Sequence, residues 1–429
     1  MTAVRVHNFR RRVALAAAVL GLLAGPASAA VPVAALHDLA RREQQPLLDT
    51  LRDLVAIESG SKDGEGLARI AALIAERLRR LGGQVEVIAP TDVFRLDDTP
   101  AETGSMVQAT WKGTGTKKVL LIAHMDTVYL RGMLKDQPFR VDGNRAYGLG
   151  IADDKQGVAV IVHAVSILNQ LGFKDYGTLT VLIDGDEEIS SPGSRATITR
   201  VASDQDAVFS FEGGGDGGLR LATSGIGSVY LTVTGRSSHA GARPEGGINA
   251  LYELSHQILQ MRDLSQDDKG LKLNWTVSQA GTNRNVIPAQ ATAQADARAL
   301  RVSDFDQLQA ALQERVKHRL IADAKVQVKF EVRRPPLEAT EASRRLAAHG
   351  QAIYREIGLP MSVTDVASGG GTDAAFAALK TRAAVIEGFG LSGFGAHSND
   401  AEYVQLETIV PRLYLTTRMI MDVAQDKVK

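Results

Sequence analysis

Several acidic and histidine residues in the first half of the chain directly follow runs of apolar residues. They are His124 and Asp126, Asp153 and Asp154, Asp184 to Glu188, and Glu212. The chain has no cysteine, so imidazoles and carboxylates are its only strong ligands for a metal ion. Each group alone has an ordinary explanation, because Asp153-Asp154 also fits a helix N-cap and Glu187-Glu188 a solvated turn. At one edge of a sheet, however, so many acids would repel one another, which favours a bound cation.

Two glycine-rich loops near the C-terminus carry further polar groups. Residues 388–402 include His397, and residues 368–375, with Gly370, Gly371 and Thr372, precede a predicted helix. Backbone amides at the start of a helix can bind an anion. The phosphate-loop pattern is absent, so we expect a substrate carboxylate there rather than a phosphate.

Alternating strands and helices must position these residues. Strand-like apolar runs at 119–123, 179–183 and 207–211 alternate with helical patterns, which predicts an α/β mixed sheet with helices on both faces. From Gly225 to about Arg334 the order is βαββαβ, typical of a ferredoxin-like module. We therefore predict a catalytic domain formed by residues 31–224 and 336–429, interrupted by an inserted domain at 225–335.

The first 30 residues are typical of a signal peptide. Arg5 and Arg10 to Arg12 precede an apolar run at 13–23, and small residues at 27–29 follow it. The apolar run is shorter than the ~20 residues that a membrane-spanning helix needs, which favours removal over a retained anchor. We expect a periplasmic or secreted protein that has no membrane contact once the signal is removed. Its 49 basic and 49 acidic residues give no excess of positive charge for nucleic acid.

A set of motifs in fixed order completes the pattern. They are His124-x-Asp126-x-Val128, Gly150-x-x-Asp153-Asp154-Lys155, Asp186-Glu187-Glu188, Phe211-Glu212, Ser238-His239-Ala-Gly241, Asn285-Val-Ile-Pro288, Gly369-Gly-Gly-Thr372-Asp373-Ala374 and His397-Ser398. From about residue 45 to residue 421 the chain closely resembles the zinc-dependent glutamate carboxypeptidases of bacteria, the carboxypeptidase G type, within the aminoacylase and dipeptidase superfamily.

The resemblance implies two zinc ions in each subunit. Asp153 would bridge them, with His124 and Glu212 completing one site and Glu188 and His397 the other. It also implies a cis peptide bond after Asp153.

The same resemblance implies roles for residues around the metals. Glu187 would be the general base and Asp126 the partner that orients His124. The inserted domain would act as a lid and form a homodimer, in which His239 stabilises the oxyanion across the subunit boundary. Residues that would bind the substrate are Asn285, Arg298, Arg334, Gly370, Gly371 and Thr372.

The predicted function is hydrolysis, by a metal-bound hydroxide, of the amide bond before a C-terminal amino acid. We expect glutamate at that position, in N-acyl or peptidyl, folate-like substrates. The alternatives are an N-acyl-amino-acid deacylase or dipeptidase with the same dizinc centre, and a binding protein that has lost catalysis. Two segments that bear on substrate preference differ from the family pattern. Residues 189–192 have Ile189-Ser190 where relatives usually have a glycine before Ser191, and residues 213–218 are unusually rich in glycine.

Overall fold

The structure is a computed structural model that describes residues 1–2, 31–367, 369–398 and 402–428. The predicted signal peptide therefore lies almost entirely outside the described residues. Within the described ranges, no helix combines the length and the apolar character needed to cross a bilayer.

The described residues form strands and helices in an order close to the predicted one. The helices are α1 (Val33–Arg42), α2 (Gln44–Val55), α3 (Gly64–Arg80), α4 (Gln156–Gln170), α5 (Arg195–Ala202), α6 (Ala250–Gln260), α7 (Val302–Arg315), α8 (Glu341–Glu356), α9 (Ala374–Ala378) and α10 (Ile409–Ala424). The strands are β1 (Gln84–Ile88), β2 (Met106–Lys112), β3 (Lys118–His124), β4 (Arg140–Asp142), β5 (Arg145–Tyr147), β6 (Thr178–Asp184), β7 (Ala207–Ser210), β8 (Leu219–Arg220), β9 (Gly225–Thr234), β10 (Ser238–His239), β11 (Lys272–Ala280), β12 (Val286–Ile287), β13 (Gln290–Ala299), β14 (Lys325–Arg334), β15 (Val363–Thr364), β16 (Ala384–Ile386), β17 (Gly393–Phe394) and β18 (Tyr403–Gln405).

The central sheet is mixed and has the strand order β1-β2-β6-β3-β7-β16. Strand β3 is parallel to β6 and β7, and β16 is parallel to β7, whereas β1 and β2 are antiparallel to their neighbours. Because parallel strands end at the same edge, β3, β6, β7 and β16 deliver the residues that follow them to one place.

Helices cover both faces of this sheet. Along β3, Val119 and Leu121 belong to the core that contains α2, α4 and α10, while Leu120 and Ile122 pack on the opposite face with α5 and α9. A strand buried on both faces must be apolar at successive positions, which explains the unbroken apolar run before His124.

The inserted segment forms a second sheet with the antiparallel order β11-β13-β9-β14. Residues of β9 alternate between buried and more exposed positions, and the buried ones pack against α6 and α7. The elements run β9-α6-β11-β13-α7-β14, which is the βαββαβ order of the ferredoxin-like prediction. The predicted fold class, a mixed α/β sheet interrupted by a ferredoxin-like insertion, is confirmed.

Candidate active site

The candidate metal ligands come from loops at the carboxyl edge of the central sheet. His124 is the last residue of β3, and β6 ends at Asp184, shortly before Glu187 and Glu188. Glu212 follows β7 by two residues. Since β3 lies between β6 and β7 and is parallel to both, these side chains meet although the sequence separates them widely.

Asp153 lies between the two candidate histidine ligands. Its Oδ1 is 3.0 Å from Nε2 of His124, and its Oδ2 is 3.3 Å from Nε2 of His397. The same nitrogen of His397 lies 3.2 Å from Oε2 of Glu188. A tetrahedral zinc ion with bonds of about 2.0 to 2.2 Å places neighbouring ligand atoms roughly 3.3 Å apart. The spacing therefore fits a carboxylate that offers one oxygen to each of two cations.

The ligand atoms fall into two groups, and within each group they all lie within 4.8 Å of one another. One group contains His124, Glu187 and Glu212, and the other contains Asp153, Glu188 and His397. Glu187, the predicted base, thus lies as close to His124 and Glu212 as a ligand would. Glu187 differs from the other acids of the two groups, however, because its carboxylate already contacts Arg334.

The protonation of the acids also fits a cation site. Burial, and next the neighbouring charge of Glu187, raise the pKa of the Glu212 carboxyl well above its usual value. Burial likewise raises the pKa of Glu188. Hydrogen bonds to Asp153 and Glu188 raise the pKa of His397 to about 10. Burial and crowding thus favour the protonated form of Glu188 and Glu212, whereas, despite burial, the two histidines lower the pKa of Asp153, and divalent cations would offset the repulsion among these carboxylates, so the residues present suit a pair of metal ions.

Asp126 fixes both His124 and the turn that carries the two glutamates. Its carboxylate is fully buried, and Oδ1 lies 3.4 Å from Nδ1 of His124. The backbone N–H groups of Glu187 and Glu188 donate to its two oxygens at 3.0 and 3.1 Å, and the Ser61 hydroxyl donates at 2.7 Å. The backbone oxygen of Asp126 lies nearer still, 3.1 Å from Nδ1 of His124, so this residue holds the imidazole in one orientation, as metal-bound histidines require.

Glu402 was not assigned a role from the sequence, yet it holds the turn that presents Asp153. Its Oε1 accepts hydrogen bonds from the backbone N–H groups of Ala152 and Asp153 at 2.8 and 3.2 Å. Its Oε2 accepts one from Gly150 N–H at 3.0 Å and one from the Tyr129 hydroxyl. The peptide bond between Asp153 and Asp154 is cis, as the resemblance implied.

The predicted base is held by Arg334. This arginine is only 3% exposed, and its Nη1 lies 2.6 Å from Oε1 of Glu187 and 3.0 Å from Oδ1 of Asp373. Its Nη2 donates to the backbone oxygen of Glu187 at 2.7 Å. Burial raises the pKa of Glu187 well above its ordinary value, and the charge of Arg334 opposes that rise. A substrate carboxylate would have to compete with two protein carboxylates for this guanidinium.

A cavity of about 390 Å³ lies beside the candidate ligands. Its wall includes Asp153, Glu187, Glu188, Glu212 and His397 together with Arg298, Arg334, Gly370, Gly371 and Thr372. It also includes Arg220, which the sequence analysis did not single out. Glu188 additionally borders a second cavity of about 560 Å³, whose wall contains Lys62, Val128 and Leu130.

His239 and Asn285 do not line either cavity. His239 lies in β10, which pairs with β12 immediately after Asn285, and both side chains are exposed. Nδ1 of His239 accepts hydrogen bonds from the N–H groups of Gly241 and Ala242 at 3.2 and 3.0 Å. Within the described residues, the five predicted metal ligands and the predicted base lie together with their neighbours. His239 and Asn285 lie apart from this cluster.

Comparison with known proteins places this site in a family. The sequence model of "Peptidase family M20/M25/M40" matches residues 120–422. The chain belongs to this family. Carboxypeptidase G2 of Pseudomonas sp. (strain RS-16) is 43% identical over 97% of this chain and 99% of its own length. This M20 chain is therefore a metallocarboxypeptidase close to carboxypeptidase G2, and the predicted resemblance is confirmed.

Solved structures share the M20 fold. Aminopeptidase PepT from Bacillus cereus has a TM-score of 0.73 at 22% identity, over 89% of this chain and 99% of that one. The YXEP protein of Bacillus subtilis, described as a dinuclear metal binding peptidase of the M20 family, has a TM-score of 0.65 at 16% identity, over 90% of this chain and 99% of that one. At such identities the likeness concerns the fold alone.

Proposed function

We propose that this M20 metallocarboxypeptidase is an exported dizinc enzyme that removes a C-terminal glutamate from N-acyl or peptidyl, folate-like substrates. The position of Asp153 carries the metal part of this proposal, because each of its oxygens faces a different histidine. The substrate part is supported by the identity to carboxypeptidase G2 and by the arginines in the cavity wall. A planar guanidinium binds a carboxylate with two parallel hydrogen bonds.

The two cavities suggest how a substrate lies. We assign the cavity of 390 Å³ to the C-terminal residue, since Arg298 and the loop with Gly370, Gly371 and Thr372 offer donors for its α-carboxylate. The cavity of 560 Å³ would then take the acyl side. Glu188 borders both cavities, so the scissile amide would lie next to the proposed metal ligands.

Glu187 has the proton-transfer role in this proposal. When bound, two zinc ions would polarise the scissile carbonyl and lower the pKa of the attacking water. Glu187 takes the proton of that water and passes it to the leaving nitrogen, which frees the amino acid. Because Arg334 contacts Oε1, we assign the transfer to Oε2. Arg334 also favours the charged form of Glu187, which a general base needs.

The inserted segment would supply the remaining contacts. His239 and Asn285 are exposed on one chain, so we propose that residues 225–335 form a homodimer and a lid that bring them to a substrate. His239 would then donate to the developing oxyanion. Residues 1–30 would direct export to the periplasm or the medium and be removed there. N-terminal sequencing of the protein recovered from the periplasm tests this, with a new N-terminus near residue 31 as the expected result.

The function is tested with a substrate panel on protein whose metal content is measured on the same sample. We expect close to two zinc ions in each chain, and faster hydrolysis of N-acyl-glutamate than of N-acyl-leucine or a simple dipeptide. Glu187→Gln should lower kcat by about 10²- to 10⁴-fold while zinc content stays unchanged, because the amide keeps the size but cannot take a proton.

Other outcomes separate the alternatives. A preference for N-acyl-leucine of tenfold or more would replace the glutamate specificity with a deacylase activity. Faster turnover of the dipeptide would favour a dipeptidase. If the zinc-loaded protein hydrolysed none of these substrates in a way that Glu187→Gln abolishes, a binding protein would be the better description.

A further inference from the structure

A third cavity, which we call the hinge groove, lies where the inserted domain joins the catalytic domain. Its volume is about 980 Å³, and its wall combines α5 and the end of α9 with Val302 of α7 and Val332 of β14. None of the candidate metal ligands belongs to this wall. Its large apolar residues include Val93, Phe94, Val332, Pro335, Phe376 and Leu379. Phe94 is 49% and Leu379 47% exposed, so the hinge groove leaves large apolar side chains in contact with water.

The hinge groove also has an excess of positive charge. Its basic side chains are Arg95, Arg195, Arg200 and Lys380, whereas Asp92 is the one acid that the described wall contains. Among the described residues, none of these four cations has a carboxylate within 4 Å. The groove therefore offers an apolar surface beside cations that protein carboxylates do not neutralise. An apolar molecule with a negative charge complements both properties.

Arg195 lies over two aromatic rings of the hinge groove. Its Cζ is 4.4 Å from the ring centre of Phe94 and 4.7 Å from that of Phe376. Burial, and next the positive charge of Arg334, lower the pKa of Arg195 to about 10, but the guanidinium remains charged at neutral pH. A partly buried cation without a carboxylate is unfavourable. An aromatic carboxylate would neutralise it and pack against the two rings.

The guanidinium of Arg195 also connects the hinge groove to the proposed base. It donates hydrogen bonds to the backbone oxygen of Ser190, directly after the turn that carries Glu187, and to that of Arg333 at 2.8 Å. Arg333 precedes Arg334, whose own guanidinium contacts Glu187. An anion that draws Arg195 away from these carbonyl oxygens would therefore loosen the base from two sides.

We propose that the hinge groove binds an aromatic carboxylate and that this ligand lowers the turnover rate through Arg195. The site goes beyond the proposed function, and only the source of its ligand rests on that function. Hydrolysis of an N-aroyl amino acid adds water across the amide bond and releases an aromatic carboxylate together with the free amino acid. The acyl product of such a substrate has the chemistry that the groove requires, so the site would provide feedback by product.

Calorimetry on the zinc-loaded protein tests the site with 2-naphthoate. The matched control ligand is 2-naphthamide, which has the same rings and no charge, and we expect it to bind at least about tenfold more weakly. Leu379→Asp puts a negative charge in the groove wall and should lower the affinity for naphthoate by about tenfold or more. Phe94→Ala removes one ring and should lower it by about fivefold. Leu359→Asp, at a position that is 39% exposed and outside the groove, should leave it unchanged.

Steady-state kinetics on an N-acyl-glutamate substrate tests the coupling to the base. At saturating naphthoate we expect kcat to fall by about fivefold while KM stays unchanged. Leu379→Asp should abolish this inhibition, and its unchanged kcat without naphthoate shows that the variant is folded.

Several outcomes would overturn the proposal. Inhibition that raises KM alone, or equal affinity for naphthoate in wild type and Leu379→Asp, would place the ligand at the active-site arginines instead. Equal binding of naphthamide, or no binding of naphthoate, would remove the carboxylate site. If wild type hydrolysed no N-acyl amino acid, the proposed function would fail, and calorimetry would still decide whether the hinge groove binds its ligand.

Discussion

The edge of the central sheet and the small β10–β12 ladder of the inserted segment carry the predicted active-site residues in two different ways. At the sheet edge, His124 is 1% exposed and Asp126 is fully buried, and each has several fixed partners. In the inserted segment, His239 and Asn285 lie at the small β10–β12 ladder and are exposed, and Nδ1 of His239 accepts hydrogen bonds from N–H groups of its own turn.

In the proposed function, this difference separates the part of the site that one chain builds from the part that a substrate or a second chain would complete. Preorganised groups contribute most to catalysis because they need no rearrangement as charge develops in the transition state. The buried, hydrogen-bonded residues of the sheet edge would have that property for the proposed metal binding and proton transfer. His239 and Asn285 lack it in a single chain, so in the proposed function their contribution depends on association or on movement of the lid.

Of the tests of this contrast between the two regions, replacing His239 has the largest expected effect. We expect His239→Ala to lower kcat by about 10²-fold or more, since an oxyanion donor is lost, while zinc content and thermal stability stay unchanged. Steady-state kinetics, metal analysis and a melting curve measure the three quantities.

A mixed dimer decides whether His239 acts within its own chain. One subunit carries His239→Ala, the other carries Glu187→Gln, and the heterodimer is purified by two different tags. If His239 serves the partner's site, one of the two sites is intact and about half of the wild-type activity returns. No recovery would mean that His239 acts on its own chain, and the contrast between the two regions would then reflect lid movement alone.

Glu402→Gln tests whether the sheet edge is held in place by its surroundings. The carboxylate accepts hydrogen bonds from three backbone N–H groups around Asp153, and an amide nitrogen cannot accept them. We expect zinc affinity to fall by about 10- to 100-fold, as for other groups that orient metal ligands. Competition with a chelator measures it. Glu407→Gln, at an exposed position five residues further on, is the control. Equal affinity in both variants would show that Glu402 does not position Asp153.

Much of the sheet edge could be predicted because its determinants are local in the sequence. The unbroken apolar run of β3 indicates a strand buried on both faces, and a strand of that kind ends at the active-site edge. The βαββαβ order likewise predicted the inserted sheet. Both patterns depend on short-range periodicity and on the order of elements.

Other features depend on contacts that a single sequence does not reveal. Glu402 is 252 residues from Gly150, and no local pattern links the two. Arg334 was expected to reach the substrate, whereas the structure places its guanidinium on Glu187 and Asp373. Arg220 follows a run of glycines whose shape the sequence does not specify. The partner of a long charged side chain is a tertiary property, so sequence reasoning named Arg298 and Arg334 as substrate-binding residues without their protein contacts and did not single out Arg220.

The pH dependence of zinc binding should also distinguish the two regions. Before a metal binds, His397 holds a proton because Asp153 and Glu188 raise its pKa to about 10. A ligand must lose its proton, so affinity rises with pH up to that value, by about tenfold per pH unit for each proton released. Calorimetry in buffers of different ionisation enthalpy counts the protons between pH 7 and 9. His239→Ala should leave this count unchanged, and a count of zero in wild type would contradict the expectation.

The smallest expected effect concerns one strained turn within the otherwise preassembled edge. Ser190, directly after the turn that carries the base, has φ 73°, a left-handed conformation that costs a residue with a Cβ about 1 to 2 kcal/mol. Glycine removes that cost but adds freedom to the unfolded chain, so Ser190→Gly should raise the free energy of unfolding by about 0.5 to 1 kcal/mol. Ser203, with φ −61°, is the matched control, because glycine there should lower stability. Urea denaturation of both variants measures the difference. If both lost stability alike, the left-handed backbone would not be a cost in this protein, and the departure from the family's glycine at this position would be energetically neutral.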